Sequence, residues 1–206
     1  MTKRSIPQNL LYFYNDPQCV FMSISDCPKA SLDAVLDQKN ESNTFFASRF
    51  SREERERYLQ HRAVIEERLF ADFIAKGGKP KRRTPYYAYL SYQTYAEMQP
   101  SLVGTPFADS MCLEMPLREF PSDIISFTYE DSALSYGLVF HPQGLEEWAR
   151  RLPAKPCHGV LYRLEDLEEA IAQHGFPANC YEAQIWDDEP VEKYRRQIAG
   201  SEQSPR

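Results

Sequence analysis

Several features that would classify a chain at once are missing here. No apolar run is long enough for a signal peptide or a membrane span. The five cysteines (Cys19, Cys27, Cys112, Cys157 and Cys180) are odd in number and contain no C-x-x-C pair. Neither a disulfide framework nor a metal site is therefore expected, and a reduced cytoplasmic setting fits. There is no excess of positive charge: the net charge is −6, which argues against a surface that coats nucleic acid but leaves room for a local basic groove. Internal repeats, G-x-G-x-x-G, Walker, G-x-S-x-G and H-E-x-x-H motifs are all missing.

What remains is an ordinary globular composition: 206 residues, 42% hydrophobic and 26% charged. A chain of this length buries roughly 70% of its unfolded surface, so it needs no staple to fold. Aromatics are plentiful, with 13 Tyr and 12 Phe. Tyrosine in that number points to a groove or interface as well as a core, because its ring is apolar and its tip is polar.

The surest element is a long helix over 51–76. Ser51 and Glu54 fit a capping box, Tyr58, Ile65, Leu69 and Phe73 make an apolar stripe, and Gly77-Gly78 ends it. Its Arg- and Glu-rich side reads as a solvated face, and His61 and Arg62 read as surface residues. Strands are expected at 11–14, 19–24, 84–90, 111–117, 123–129, 158–163 and 181–186, with short helices at 31–36, 145–152 and 164–174. Residues 99–109 read as a loop, 187–190 as an acidic turn, and 200–206 as a polar tail. His141, His158 and His174 read as structural or surface groups, and Trp148 and Trp186 as core or interface. The pattern predicts one α+β domain with a mixed, split sheet, the long helix and peripheral short helices.

Two stretches carry chemistry. In Tyr181-Glu182-Ala183-Gln184-Ile185-Trp186, alternation puts Tyr181, Ala183 and Ile185 on one face and Glu182, Gln184 and Trp186 on the other. The plain reading is an edge strand with its polar side in water; the functional reading is a carboxylate held accurately by a rigid strand. The second stretch is Lys79-Pro80-Lys81-Arg82-Arg83, which leads into Thr84-Pro85-Tyr86-Tyr87-Ala88-Tyr89. Cations beside rings suit a ligand with phosphates and bases, and equally suit a solubilising loop before a core strand.

From residue 83 to 198 the order of pieces resembles an ADP-ribosyltransferase of the DarT type, toxins that modify nucleic acid with NAD⁺. Thr84-Pro85-Tyr86-Tyr87-Ala88-Tyr89 is similar to that family's Val-Pro-Phe-Tyr-Phe strand. Cys112 to Leu117 stands where its apolar strand falls, and Ser126-Phe127-Thr128-Tyr129-Glu130-Asp131 is similar to its Phe-Thr-Asp segment. The stretch 181–186 is similar to its last strand, which makes Glu182 the catalytic glutamate that the resemblance implies. The family's opening strand carries a ribose-holding histidine; neither 11–14 nor 20–25 has one. Tyr12 or Tyr14 would then stack on nicotinamide in its place.

Transfer from NAD⁺ proceeds through a cation-like sugar, so one carboxylate near the anomeric carbon is the first requirement. Glu182 is the candidate. Tyr86, Tyr87 and Tyr89 would sandwich nicotinamide or a target base, Arg49 or Arg83 would meet the pyrophosphate, and Ser126 and Thr128 would orient the nicotinamide side. Lys79, Lys81 and Arg82 would hold the acceptor, with Tyr89. The implied cofactor is NAD; the implied partners are a DNA, RNA or protein acceptor and a neutralising antitoxin, with no membrane. The missing histidine keeps a second reading open, a catalytically inactive binding module. A third is a nuclease or glycosidase that uses Glu182 with Asp131 or Glu130.

Overall fold

The stretch 181–185 does form a strand, but in the interior of a six-stranded sheet and not at its edge. In the computed structural model the described residues are 6–17, 20–42, 50–103, 105, 107, 110–177 and 180–201. In chain order the elements are β1 (Asn9–Tyr14), α1 (Lys29–Ser42), α2 (Arg55–Ala75), β2 (Tyr86–Ser91), α3 (Tyr95–Met98), β3 (Met111–Pro116) and β4 (Ile125–Tyr129). Then come α4 (Ser132–Phe140), α5 (Glu147–Arg150), β5 (Leu161–Arg163), α6 (Leu167–His174), β6 (Tyr181–Ile185) and α7 (Glu189–Ser201).

Together they make a single α+β domain. The strand order is β3-β1-β2-β6-β4-β5, and every strand pair in it is antiparallel. This corrects the expected mixed, split sheet. Helices between strands suggest parallel crossovers, but a connection of any length can also return the chain antiparallel. None of the helices in the described residues is long and apolar enough to cross a membrane.

Pairing sets the faces. Glu182 stands opposite Tyr89 on β2 and Thr128 on β4, so these three side chains share a face with Gln184, Tyr87 and Ser126. The other face carries Tyr86, Ala88, Phe127, Tyr181, Ala183 and Ile185, packed under Leu167, Ala170 and Ile171 of α6 and Val191, Tyr194 and Ile198 of α7. The polar face is covered by α2, whose Ile65, Leu69 and Phe73 pack with Tyr136, Leu161 and Trp186. Phe73 stacks on the Trp186 indole with ring centroids 5.4 Å apart.

Helix α2 starts at Arg55, and the expected capping box is not formed. The Glu54 carboxylate takes the Arg57 Nε–H at 2.6 Å instead of a backbone donor. The C-terminus does end at the glycines: Gly77 adopts φ +85°, and the N–H groups of Gly77 and Gly78 donate to the carbonyls of Ile74 and Phe73, both at 2.9 Å. The second apolar run is not a strand. Val20 and Phe21 turn the chain, with Phe21 at φ +53° and its ring stacked 4.2 Å from that of Tyr12; Cys19 lies outside the described residues. The acidic turn at 187–190 opens α7, which runs through residue 200 to Ser201; 202–206 lie outside the described residues.

Candidate active site

Glu182 is only 4% exposed. That overturns the reading of a polar strand face in water; the covering helices come from elsewhere in the chain. Its Oε2 accepts the backbone N–H of Ser132 at 3.0 Å and the Gln184 amide at 3.3 Å. Ser132 is the first residue of α4, whose N-terminus favours negative charge. Burial nevertheless dominates. It pushes the Glu182 carboxyl up to about 8, the neighbouring Asp131 adds to the rise, and the Ser132 and Gln184 bonds oppose it. At neutral pH the group is mostly protonated.

A closed network fixes this carboxyl in place. The Ser126 hydroxyl donates to Gln184 Oε1 at 3.0 Å and accepts the Trp186 indole N–H at 2.9 Å. The Gln184 amide donates to Thr128 Oγ1 at 3.0 Å, and the Thr128 hydroxyl donates to the Glu130 carbonyl at 3.2 Å. Ser126 and Thr128 are fully buried. The sequence places them on the nicotinamide side; in the structure their hydroxyls bond Gln184, and Gln184 bonds Glu182.

Beside this network lies a cavity of about 550 Å³, within the usual range for small-molecule sites. Its aromatic wall includes Phe13, Tyr58, Tyr89, Phe107 and Trp148. The Phe13 and Phe107 rings stack at 4.5 Å, and Tyr89 meets Phe107 edge-on at 5.4 Å. Glu130, Asp131 and Glu146 supply acidic groups to the wall, against the single permanent cation Arg57 among the described residues. Arg57 is itself held by Glu54 and by the Gly144 carbonyl, 2.7 Å from Nη1. Glu182 is one layer behind: its cross-strand partner Tyr89, and Asp131 and Ala133 on either side of Ser132, are the residues that face the space.

Of the residues singled out from sequence, the structure brings Tyr89 to this cavity and Glu182 just behind it. Tyr12, Tyr14 and Tyr86 belong to the opposite face, because alternation separates them from Phe13, Tyr87 and Tyr89. The Tyr12 hydroxyl accepts the Phe21 N–H at 2.7 Å, and the Tyr86 hydroxyl donates to Asp188 at 2.6 Å. Tyr87 shares the Glu182 face but is bonded to Glu66 at 3.0 Å beneath the Arg62 guanidinium. The basic stretch does not reach this cavity: its charges pair with acidic side chains, mostly at the surface, and Lys81, Arg82 and Arg83 line a separate open depression with Tyr86, Asp188 and Arg195. Lys79 pairs with Asp123 at 3.5 Å, Lys81 with Asp187 at 2.7 Å, Arg82 with Asp188 at 2.6 Å and with Asp26, and Arg83 with Glu67. The acidic turn at 187–189 is thus the counter-charge of 81–82. Arg49 lies outside the described residues.

His61 and Arg62 are not surface groups. His61 is 5% exposed, with Nδ1 2.9 Å from His141 Nδ1 and Nε2 3.0 Å from the Ala133 carbonyl. Burial lowers its tendency to take a proton. Arg62 pairs with the buried Glu66 at 2.8 Å. Sequence reasoning passed over Phe13, Arg57 and Trp148 as site residues, and named Glu130 only in the nuclease or glycosidase reading. Alternation from Leu11, the partner of Tyr89, could have found Phe13; Arg57 gives no local signal within a charged helix face. Among the described residues no group of three or more potential metal ligands is gathered. Comparison with family models, curated proteins and solved structures finds no match for this chain.

Proposed function

We propose that the chain is an NAD-dependent ADP-ribosyltransferase of the cytoplasm, acting on a nucleic acid or protein acceptor as a toxin or defence effector. The observation that carries this reading is the buried carboxyl of Glu182, fixed on a central strand behind an aromatic, acid-lined cavity. The nicotinamide ring of NAD⁺ is a flat cation. It suits a wall of Phe13, Tyr89 and Phe107 facing Glu130, Asp131 and Glu146. As the bond from the ribose to nicotinamide lengthens, positive charge grows on the sugar, and Glu182, once it has given its proton to solvent, stabilises that charge as a carboxylate. Release should therefore speed up as pH rises through about 8, where Glu182 ionises.

The direct test follows nicotinamide release from NAD⁺, and then adds labelled NAD⁺ to a lysate to ask whether DNA, RNA or protein carries the label. Glu182→Gln should lower release at least about 10²-fold with the fold intact. Full activity in that variant would remove Glu182 from the mechanism. A neutralising antitoxin is the partner such an activity requires in its host. Lys79, Lys81 and Arg82 are paired with acidic side chains, mostly at the surface, and the labelled fraction decides the acceptor.

One observation favours a second reading, an inactive binding module: Glu182 lies behind the cavity wall, where burial favours its protonated form. In that case NAD⁺ raises the Tm and releases no nicotinamide at any pH.

A further inference from the structure

We propose that Glu130 is a second catalytic carboxylate of this site, the group that takes the proton of the attacking hydroxyl, with His158 and Lys155 as its positioning residues. The inference rests on the transferase reading and adds a role that Glu182 does not fill.

Three observations meet at Glu130. The first is its backbone: φ is +61°, in the left-handed region that non-glycine residues seldom adopt. Such a conformation persists only where its surroundings hold it, and it clusters at functional sites. Here the Glu130 N–H donates to the Cys180 carbonyl at 3.0 Å, and residue 130 bridges to Tyr181 beside it. The strained turn directs this side chain just where β4 passes into α4.

The second observation is the clamp on its carboxylate. Lys155 Nζ donates to Oε1 at 3.0 Å, and His158 Nε2 lies 3.2 Å from Oε2. The tautomer of His158 follows from its other nitrogen. Nδ1 accepts the Lys155 backbone N–H at 3.1 Å, so the ring hydrogen of the neutral imidazole is on Nε2 and points at Glu130. The turn from Lys155 to His158 is closed by the His158 N–H on the Lys155 carbonyl at 3.0 Å. Both donors thus come from one rigid turn, and each carboxylate oxygen keeps a second lone pair.

The third observation is place. Glu130 lines the cavity, as do Asp131 and Ala133, while Ser132 between them holds Glu182. Glu130 and Glu182 are therefore joined through the Asp131–Ser132 turn and lie in contrasting surroundings. Burial keeps a proton on Glu182 at neutral pH, which makes it a poor acceptor for another. Glu130 faces an ammonium and an imidazole N–H. Carboxyls in contrasting surroundings are the usual way one site divides acid and base tasks.

The step balances as follows. The bond between the ribose anomeric carbon and nicotinamide breaks, and its electron pair leaves with nicotinamide. An oxygen lone pair of the acceptor hydroxyl forms the new bond to that carbon. The hydroxyl proton moves to a Glu130 carboxylate oxygen and passes to solvent when product leaves.

The test uses the full chain, NAD⁺ and water as acceptor, with nicotinamide release as the readout. Glu130→Gln should lower kcat about 10²- to 10⁴-fold and leave KM for NAD⁺ within about twofold. Sodium formate, an external carboxylate, should restore part of the lost kcat in Glu130→Ala and none in Glu182→Gln. His158→Gln, which keeps an N–H donor, should retain more kcat than His158→Leu. If Glu130→Ala melts early, Glu130→Gln, close in shape to the native side chain, carries the kcat readout. Wild-type kcat in the Glu130 variants, or no recovery with formate, overturns the proposal. A wild-type chain that releases no nicotinamide sinks the transferase reading and this inference together. An active wild type with a silent Glu182→Gln and a fully active Glu130→Gln sinks the inference alone.

Discussion

Ser126 and Phe127 are neighbours in one strand and both are sealed from water, yet they lie on faces built on opposite terms. Phe127 and its cross-strand partner Ala183 pack into an apolar layer under α6 and α7. Ser126 and its partner Gln184 sit in a hydrogen-bonded row that runs from the Trp186 indole to the Glu182 carboxyl. The first face stabilises the domain by removing apolar surface from water. The second is satisfied bond by bond, and a buried polar row of that kind adds little net stability for its size. Its value lies in holding one carboxyl still beside a cavity. The larger apolar layer is on one side of the sheet, and the buried polar row on the other.

That contrast can be broken at graded points. The largest effect is expected on the apolar face. Phe127→Ala removes a fully buried ring and should cost about 3–5 kcal/mol, read as a fall in Tm and in denaturant midpoint. Nicotinamide release per folded molecule should not change.

Glu182→Gln sharpens the comparison from the polar side through pH. The folded protein holds a proton on Glu182 far above the ordinary glutamate range, up to about 8. Wild-type stability from this group is therefore complete in acid and is lost as pH rises from the normal carboxylate range through about 8. The glutamine cannot ionise, so its stability should stay flat over that interval. At pH 9 the variant should exceed wild type by several kcal/mol in urea unfolding. Parallel curves for the two proteins would mean that Glu182 is not buried in solution.

Gln184→Leu should have the smallest effect on stability, about 1–3 kcal/mol. It keeps bulk in the row but takes one hydrogen-bond partner from each of the Ser126 and Thr128 hydroxyls and frees one side of Glu182. If the row exists to position Glu182, kcat for nicotinamide release should drop by much more than the stability loss explains.

Several elements were legible before any fold was known. The apolar stripe of α2 and its glycine stop follow from a 3.6-residue period, and the two faces of β6 follow from alternation. Helix α4 was not legible. Ser132 to Phe140 is apolar on most sides because it packs between α2 and the 142–149 segment, so no amphipathic stripe marks it; only the Asp131 cap, which accepts the Leu134 N–H at 3.0 Å, signals its start. The opening of α7 reads from sequence as an acidic turn over 187–190, with no element assigned to 191–199, although a proline and acids in a first turn are also a helix opening.

At the site, Glu182 and Tyr89 were found through motif order and alternation. Phe13, Arg57 and Trp148 were not, since a residue from β1, one from α2 and one from α5 become neighbours only through folding. The basic stretch shows the same limit from the other side. Its charges are evident in the chain, but their partners Asp187 and Asp188 stand about a hundred residues on, and an unpaired patch and a clamp have one sequence.

Local pattern alone told which side chains share a face, because alternation and helical period need only neighbouring residues. Whether Glu182 meets water, keeps its proton or backs a cavity was settled when α2 and α4 closed over the middle of the sheet. Burial and the field around a carboxyl are sums over groups distant in the chain, and those sums exist only once the chain has packed.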